Sequence, residues 1–281
     1  MTQFARLYVH AYKQFIFNDS SSLVALTGYE PNLALGREYI CLENFEFNVR
    51  DLLPCPTNFS SERVGYLFQT IATEYWILNY VTDVKYVGVT GYRRYPIFKN
   101  PKNDLTFEYK LSSSDNVIKE LTDPSHLSWI EEVLSVYDVI IPRKLHFKNS
   151  IAEEFVRPHD AYGIWQMFLN CLAEIAPEYK LKFKWFDFSY SGNFCGPMGM
   201  NPLGLFKEYV DIYTRVIRLM LQRLENPWEI KNPHQDALSD RWIGWLSERF
   251  YAFFIFANNL SVYEVPIAFL EEAKKKRLGF F

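Results

Sequence analysis

The stretch Val81-Thr-Asp-Val-Lys-Tyr-Val-Gly-Val-Thr-Gly-Tyr-Arg-Arg-Tyr95 reads as a short buried strand over 85–90 that runs into a glycine and two adjacent arginines. Tyr86, Val87 and Val89 are strand formers, and no charge interrupts them. Gly91 permits a sharp turn or a close backbone approach. Arg93 and Arg94 then follow the carboxyl end of the strand, the place where ligands bind in open α/β sheets. Two guanidinium forks there suit an anionic group such as a diphosphate. The same spacing also fits two exposed arginines in a surface loop.

Working outward, 5–11 reads as a first strand, with Leu7 and Val9 alternating against Arg6 and Tyr8, and it ends at His10 and Lys13. Prolines and asparagines make 18–60 irregular, with one short strand at 38–42. Apolar residues at helical spacing predict a helix over 62–81 that contains Glu74. Polar and loop signals return from 96 to 123, around a possible edge strand at 107–111. A helix over 127–134 leads to a second buried strand over 136–142, bounded by Pro142. The region 151–175 reads as helical, with Pro158 favouring a helix start near His159 and Asp160. Tyr162, Trp165, Phe168, Leu169, Leu172 and Ile175 form its apolar face. A glycine-rich loop over 190–198 carries Asn193, and its glycines allow close approach to a ligand. Amphipathic helices follow over 205–224 and around 240–249, the latter aligning Arg241, Trp245 and Glu248 on one face.

Composition sets outer bounds. The 281 residues suffice for one large α/β domain or two small ones. A hydrophobic fraction of 49% with 22% charged residues is that of a soluble globular chain. Aromatics reach 18%, enough to fill a core and leave rings over for a sugar site. The net charge of -3 argues against a protein that binds nucleic acid by bulk electrostatics. Cys41, Cys55, Cys171 and Cys195 show no zinc-ligand spacing, and free thiols in a reducing cytoplasm are expected. Arg6, His10 and Lys13 break any signal-peptide pattern, and no run reaches the ~18 apolar residues of a membrane span. The basic, phenylalanine-ended tail over 271–281 reads as solvated, with peripheral contact to an anionic inner leaflet as the alternative.

Taken in order, Glu74-Tyr-Trp76, Asn79, Tyr86-Val-Gly88 and Gly91-Tyr-Arg-Arg-Tyr95 resemble a bacterial family of capsular-polysaccharide and O-antigen glycosyltransferases. That family carries a Tyr-Trp helix, a strand and a His-Tyr-Arg-Arg-Tyr-Phe motif. Gly91 stands in place of its leading His and Pro96 in place of its final Phe. Further blocks at Ile140-Ile-Pro142, Pro177-Glu-Tyr179 and Glu248-Arg249 resemble it too, while Cys195-Gly-Pro197 departs from it. The resemblance implies a GT-A-like (Rossmann-like) α/β fold: a mixed, mainly parallel sheet with a helical C-terminal half. It implies one domain over 1–281, with a nucleotide-sugar half at 1–145 and an acceptor-side half at 146–281. It implies a hexosyltransferase acting in the cytoplasm or at the inner membrane, moving a hexose (galactose or galactofuranose being considered) from a UDP-hexose to a capsule or O-antigen glycan, free or lipid-linked. The donor-side residues it implies are His10, Lys13, Tyr92, Arg93, Arg94, Asn193 and Arg249. Asp160, Glu248 and His159 are the catalytic candidates, Asp160 or Glu248 as base with His159 binding donor or acceptor. The sequence contains no Asp-x-Asp pair, so arginine charge is expected in place of a metal ion on the diphosphate, although one carboxylate plus substrate phosphates could hold Mg or Mn. A non-catalytic glycan- or nucleotide-binding protein of the same fold remains the alternative.

Overall fold

The computed structural model describes residues 3–11, 24–28, 70–91, 93–99, 106–112, 115–121, 123–159, 161–192, 197–224 and 242–271. Three parallel strands organise it: β1 (Gln3–Ala11), β2 (Val24–Gly28) and β3 (Val84–Gly91). They lie in the order β2-β1-β3, followed by the short antiparallel β9 (Asn201–Pro202). The register sets Val9 beside Thr90 and His10 beside Gly91, so β1 and β3 end side by side at one edge.

The second apolar strand, β6 (Val139–Pro142), does not pair with β3, although the sequence predicts one sheet. The segment 200–202 intervenes. It runs antiparallel to β3 through Asn201 and Pro202, and bridges to Ile140 through Met200. Two glycines make this possible. A Cβ on Gly88 would sit 1.9 Å from the Gly199 carbonyl oxygen, and one on Gly199 would sit 2.0 Å from that of Ile140. Gly199 also has a φ of 115°, which side-chain-bearing residues avoid. Its close approach is therefore to backbone. Because 200–202 is antiparallel to both neighbours, β6 runs parallel to β3, and so does its partner β10 (Val262–Val265).

Both faces of these strands are covered, which accounts for apolar residues pointing to either side of them. Tyr8, Val87, Val89, Val139 and Ile141 face a helical layer: α1 (Thr70–Tyr80), α5 (Tyr162–Ile175), α7 (Leu203–Arg223) and α8 (Trp242–Ala257). The alternate residues Ala5, Leu7, Val9, Tyr86 and Ile140 face a smaller core. That core holds α3 (His126–Leu134) and the sheet β4-β11-β5, made of Arg94–Pro96, Ile267–Glu271 and Glu108–Ser112. The last two described strands therefore pair with strands that precede residue 145.

The elements differ from the sequence reading in identifiable places. β4 and α2 (Asp115–Leu121) lie where loops were expected. The helical region is two helices, α4 (Ile151–His159) and α5, and Pro158 falls in the last turn of the first rather than opening the second. There its missing N–H costs one bond just where the chain leaves the helix. Tyr162 is 64% exposed and is not part of the apolar face. The proposed strand at 38–42, helix residues 62–69 and tail residues 272–281 lie outside the described residues. The aromatic surplus is largely core: Tyr209 and Tyr213 each stack on Phe250, and Phe186 stacks on Phe253 at 4.6 Å. Cys171 is a buried free thiol whose pKa burial raises. Among the described residues, no helix is long and apolar enough to cross a membrane.

Candidate functional site

The carboxyl edge of β1 and β3 is where the sequence-derived candidates begin to gather. His10 is buried, and its Nδ1 lies 3.0 Å from the Thr73 hydroxyl on α1. Burial lowers its pKa to about 4, so the ring is neutral near pH 7. Gly91 is its neighbour on β3, and Arg93 follows two residues later. Among the described residues, a Cβ at Gly91 would meet nothing within 4 Å. The turn from 90 to 94 is closed by the Thr90 hydroxyl, which donates to the Arg94 carbonyl.

The two arginines differ. Arg93 is half-buried, and its carbonyl accepts the Leu270 N–H at 2.8 Å, anchoring the turn to β11. Arg94 is exposed; its guanidinium lies over the Phe269 ring at 5.5 Å and 3.8 Å from the Glu108 carboxylate. Arg94 is thus engaged on the β4-β11-β5 sheet.

A second group sits one residue further along α1. Glu74 is fully buried, and neither of its carboxyl oxygens completes a hydrogen bond of normal geometry among the described residues. Burial raises its pKa to about 8, and the Glu248 carboxylate adds to the rise. The hydroxyls of Thr70 and Tyr209 lie close enough to oppose it in part. Near neutral pH this side chain is mainly the neutral acid. Glu248, on α8, is partly exposed and accepts from Arg249 at 3.1 Å. Arg249 is buried beside the Phe155 ring, 5.8 Å away. Burial lowers its pKa to about 10, while Glu248 and Glu154 hold it up. Glu74 is a member that pattern reading weighed without placing in the site. The signal available in sequence was a lone acid within an apolar helix.

The structure thus ties His10 to α1 through Thr73, brings the Glu248 charge within reach of Glu74 on the same helix, and joins Arg249 to Glu248. His159 is the last residue of α4. Lys13, Tyr92, Asp160, Asn193 and Arg241 lie outside the described residues. The stretch after Asn193 acts as a brace: Asn201 donates to the Pro197 carbonyl at 3.4 Å and accepts the Tyr251 hydroxyl at 2.5 Å. Among the described residues, no three His, Cys, Asp or Glu side chains gather as a metal-holding group.

Fold and site together define an α/β protein in which the carboxyl ends of two parallel strands, at His10 and Gly91, lie side by side next to helix α1. By sequence, the chain belongs to the DUF4422 family, a domain of unknown function, whose model matches residues 62–259. No curated protein matches it. Among solved structures, it is similar to the apo form of the WbbM bifunctional glycosyltransferase, with a TM-score of 0.69 at 15% identity. The likeness covers 96% of this chain and 46% of that one, so the chain spans about half its length.

Proposed function

We propose that this chain is a glycosyltransferase of GT-A-like fold that moves a hexose from a nucleotide sugar, a UDP-hexose, to a growing surface glycan of the capsule or O-antigen type. The observation that carries this reading is the register of β1 and β3. It sets His10 beside Gly91, two residues before Arg93, at the carboxyl edge where α/β sheets bind nucleotides. The likeness in fold to a glycosyltransferase across nearly the whole chain supports it.

On this reading Arg93, with Lys13 and Tyr92, takes the diphosphate, and its charge stabilises the leaving group as the bond to the sugar breaks. Arg94 adds to that field from the neighbouring strand. His10, neutral and held by Thr73, serves as a hydrogen-bonding group toward the donor. Asn193 and Arg249 complete the donor side. Asp160 or Glu248 removes the proton of the acceptor hydroxyl, and His159 orients one of the substrates. Arginine stands where other enzymes of this fold place a divalent cation, with Mg or Mn as the alternative that a chelator tests. The acceptor is a glycan, free or lipid-linked, met on the cytoplasmic side, with a solvated basic tail and peripheral contact of that tail with the inner membrane as the alternative.

The test is a panel of radiolabelled nucleotide sugars scored for binding, hydrolysis and transfer. We expect one UDP-hexose to raise the melting temperature and to be turned over. Binding without hydrolysis or transfer to any acceptor would favour the non-catalytic reading, and no binding across the panel would sink both.

A further inference from the structure

A pocket of about 380 Å³ lies on the helical face of β6 and β10. One wall is the pair Trp185 and Phe256, whose rings stack at 5.2 Å and 17°. Trp185 opens α6 (Trp185–Phe188) and Phe256 lies in the last turn of α8. Val262 of β10 supplies an apolar floor, and Lys144, Ser189 and Asn259 bring an ammonium, a hydroxyl and an amide to the same lining. Asn259 holds a left-handed backbone with φ of 51°, which asparagine tolerates better than most residues. Its amide makes no side-chain hydrogen bond among the described residues.

Aromatic side chains are left uncovered around this pocket. Phe256 is 43% exposed, and the residues flanking Ser189, Phe188 and Tyr190, are 73% and 52% exposed. Among the described residues, Tyr80, Tyr137 and Tyr162 are the other exposed phenylalanine or tyrosine rings, so three of the six gather here. Lys144 is balanced by Glu264 at 3.7 Å, which removes the pull toward a strongly anionic ligand. Aromatic faces ringed by neutral hydrogen-bonding groups match a pyranose, whose axial C–H groups meet the negative face of a ring while its hydroxyls reach the rim. The volume is of small-ligand scale. The pocket runs along these strands, from Asn259 and Val262 at the amino end of β10 to Lys144, two residues past the carboxyl end of β6; β6 runs parallel to β3, so the Lys144 end points the same way as Gly91.

We infer that this pocket binds a pyranose unit of the acceptor glycan, which presents its growing end to the strand ends at Gly91. The acceptor role rests on the glycosyltransferase reading; the pyranose site does not.

Saturation-transfer NMR with methyl β-galactopyranoside, methyl α-glucopyranoside and N-acetylglucosamine tests it directly. We expect at least one of these probes to receive saturation from the wild-type protein. Phe256→Ser should weaken that binding by about three- to ten-fold, the scale of one lost ring contact. Asn259→Gly, which keeps the left-handed turn and removes the amide, should weaken it too. Asn259→Gly should keep the wild-type melting profile, Phe256→Ser should lower it by a few degrees for the lost stack on Trp185, and both should stay folded and keep donor hydrolysis. Absence of saturation transfer to all three probes overturns the inference, as does wild-type binding in both variants. Intact donor hydrolysis alongside either result leaves the glycosyltransferase reading standing. Sugar binding that depends on Phe256 in a protein with no donor turnover would keep the pyranose site and remove the enzyme.

Discussion

The Nδ1 atom of His10 stands 3.0 Å from the Thr73 hydroxyl, so the end of β1 is tied to the second turn of α1 inside the core. The ring is therefore a fixed neutral group and not a cation waiting for phosphate. Thr73→Val keeps the shape and removes the bond; it should cost about 1 kcal/mol. Because burial depresses the His10 pKa from 6.5 to about 4, the contribution is present at neutral pH and is lost as pH falls from 6.5 toward 4. Urea melts from pH 7 to pH 4 should show His10→Gln losing less stability with acid than the wild type. Parallel profiles for the two proteins would refute the assignment.

Glu74 predicts the opposite limb. Its pKa is raised from 4.5 to about 8, so the folded state holds a proton that the unfolded chain has released. The contribution is complete below pH 4.5 and is lost as pH rises toward 8. Glu74→Gln should resemble the wild type in acid and be more stable than it, by a few kcal/mol at most, above pH 8. The measurement is the difference in unfolding free energy across that window. A Gln variant that loses stability with alkali as steeply as the wild type would show that Glu74 is ionised in the fold.

The environments of the two motif arginines separate their substitutions. Arg94→Lys gives up the ring contact with Phe269 and the approach to Glu108, both at an exposed site, and should change stability by less than about 1 kcal/mol. Arg93→Lys keeps charge at the strand end and loses the fork. We expect it to weaken nucleotide-sugar binding more than Arg94→Lys does, with the melting temperature nearly unchanged. Equal, wild-type affinity in both variants would exclude a diphosphate role for the pair.

Glycine chemistry offers a further contrast. Gly199→Ala needs a left-handed backbone and places a methyl 2.0 Å from the Ile140 oxygen, so it should cost about 3 kcal/mol or more. Gly91→Ala meets open space at a regular strand position and should leave the melting temperature within a degree or two of wild type, on the order of a neutral surface change. A strongly destabilised Gly91→Ala would mean that the strand end is more tightly packed than the structure shows.

Much of this architecture was legible because its signals are local. The alternation at 5–11 and the β-branched runs at 85–90 and 139–142 read as short strands, and α3 and α7 repeat at 3.6 residues. What was illegible depends on partners far away in sequence. Met200 and Asn201 form a strand only because Gly88 and Gly199 let three backbones close up, and neither glycine announces which chain it will meet. β4 and β11 have three and five residues, too short for an alternating pattern to stand out. In the site, His10 and the arginine motif could be placed at strand ends from sequence. The pairing of Glu74 with Glu248 could not, since it depends on how α1 and α8 cross.

The choice of base is the last prediction, and Glu248 is the member of the group that the fold now constrains. Its carboxylate is partly exposed and held by Arg249 at 3.1 Å, beside a Glu74 that stays protonated near neutral pH. A neutral Glu74 adds no second negative charge beside the Glu248 carboxylate, which accepts from Arg249. If Glu248 is the base, Glu248→Gln should lower transfer by about 10²–10⁴-fold with donor affinity nearly intact. Asp160→Asn should then cost little, and His159→Ala should act on the KM of one substrate. The same assays run with and without EDTA address the missing Asp-x-Asp pair: rates should survive the chelator when arginine supplies the counter-charge. Wild-type turnover in Glu248→Gln moves the base to Asp160, wild-type turnover in all three variants discards the assignment, and full inactivation by EDTA with rescue by Mn replaces the arginine reading with a metal.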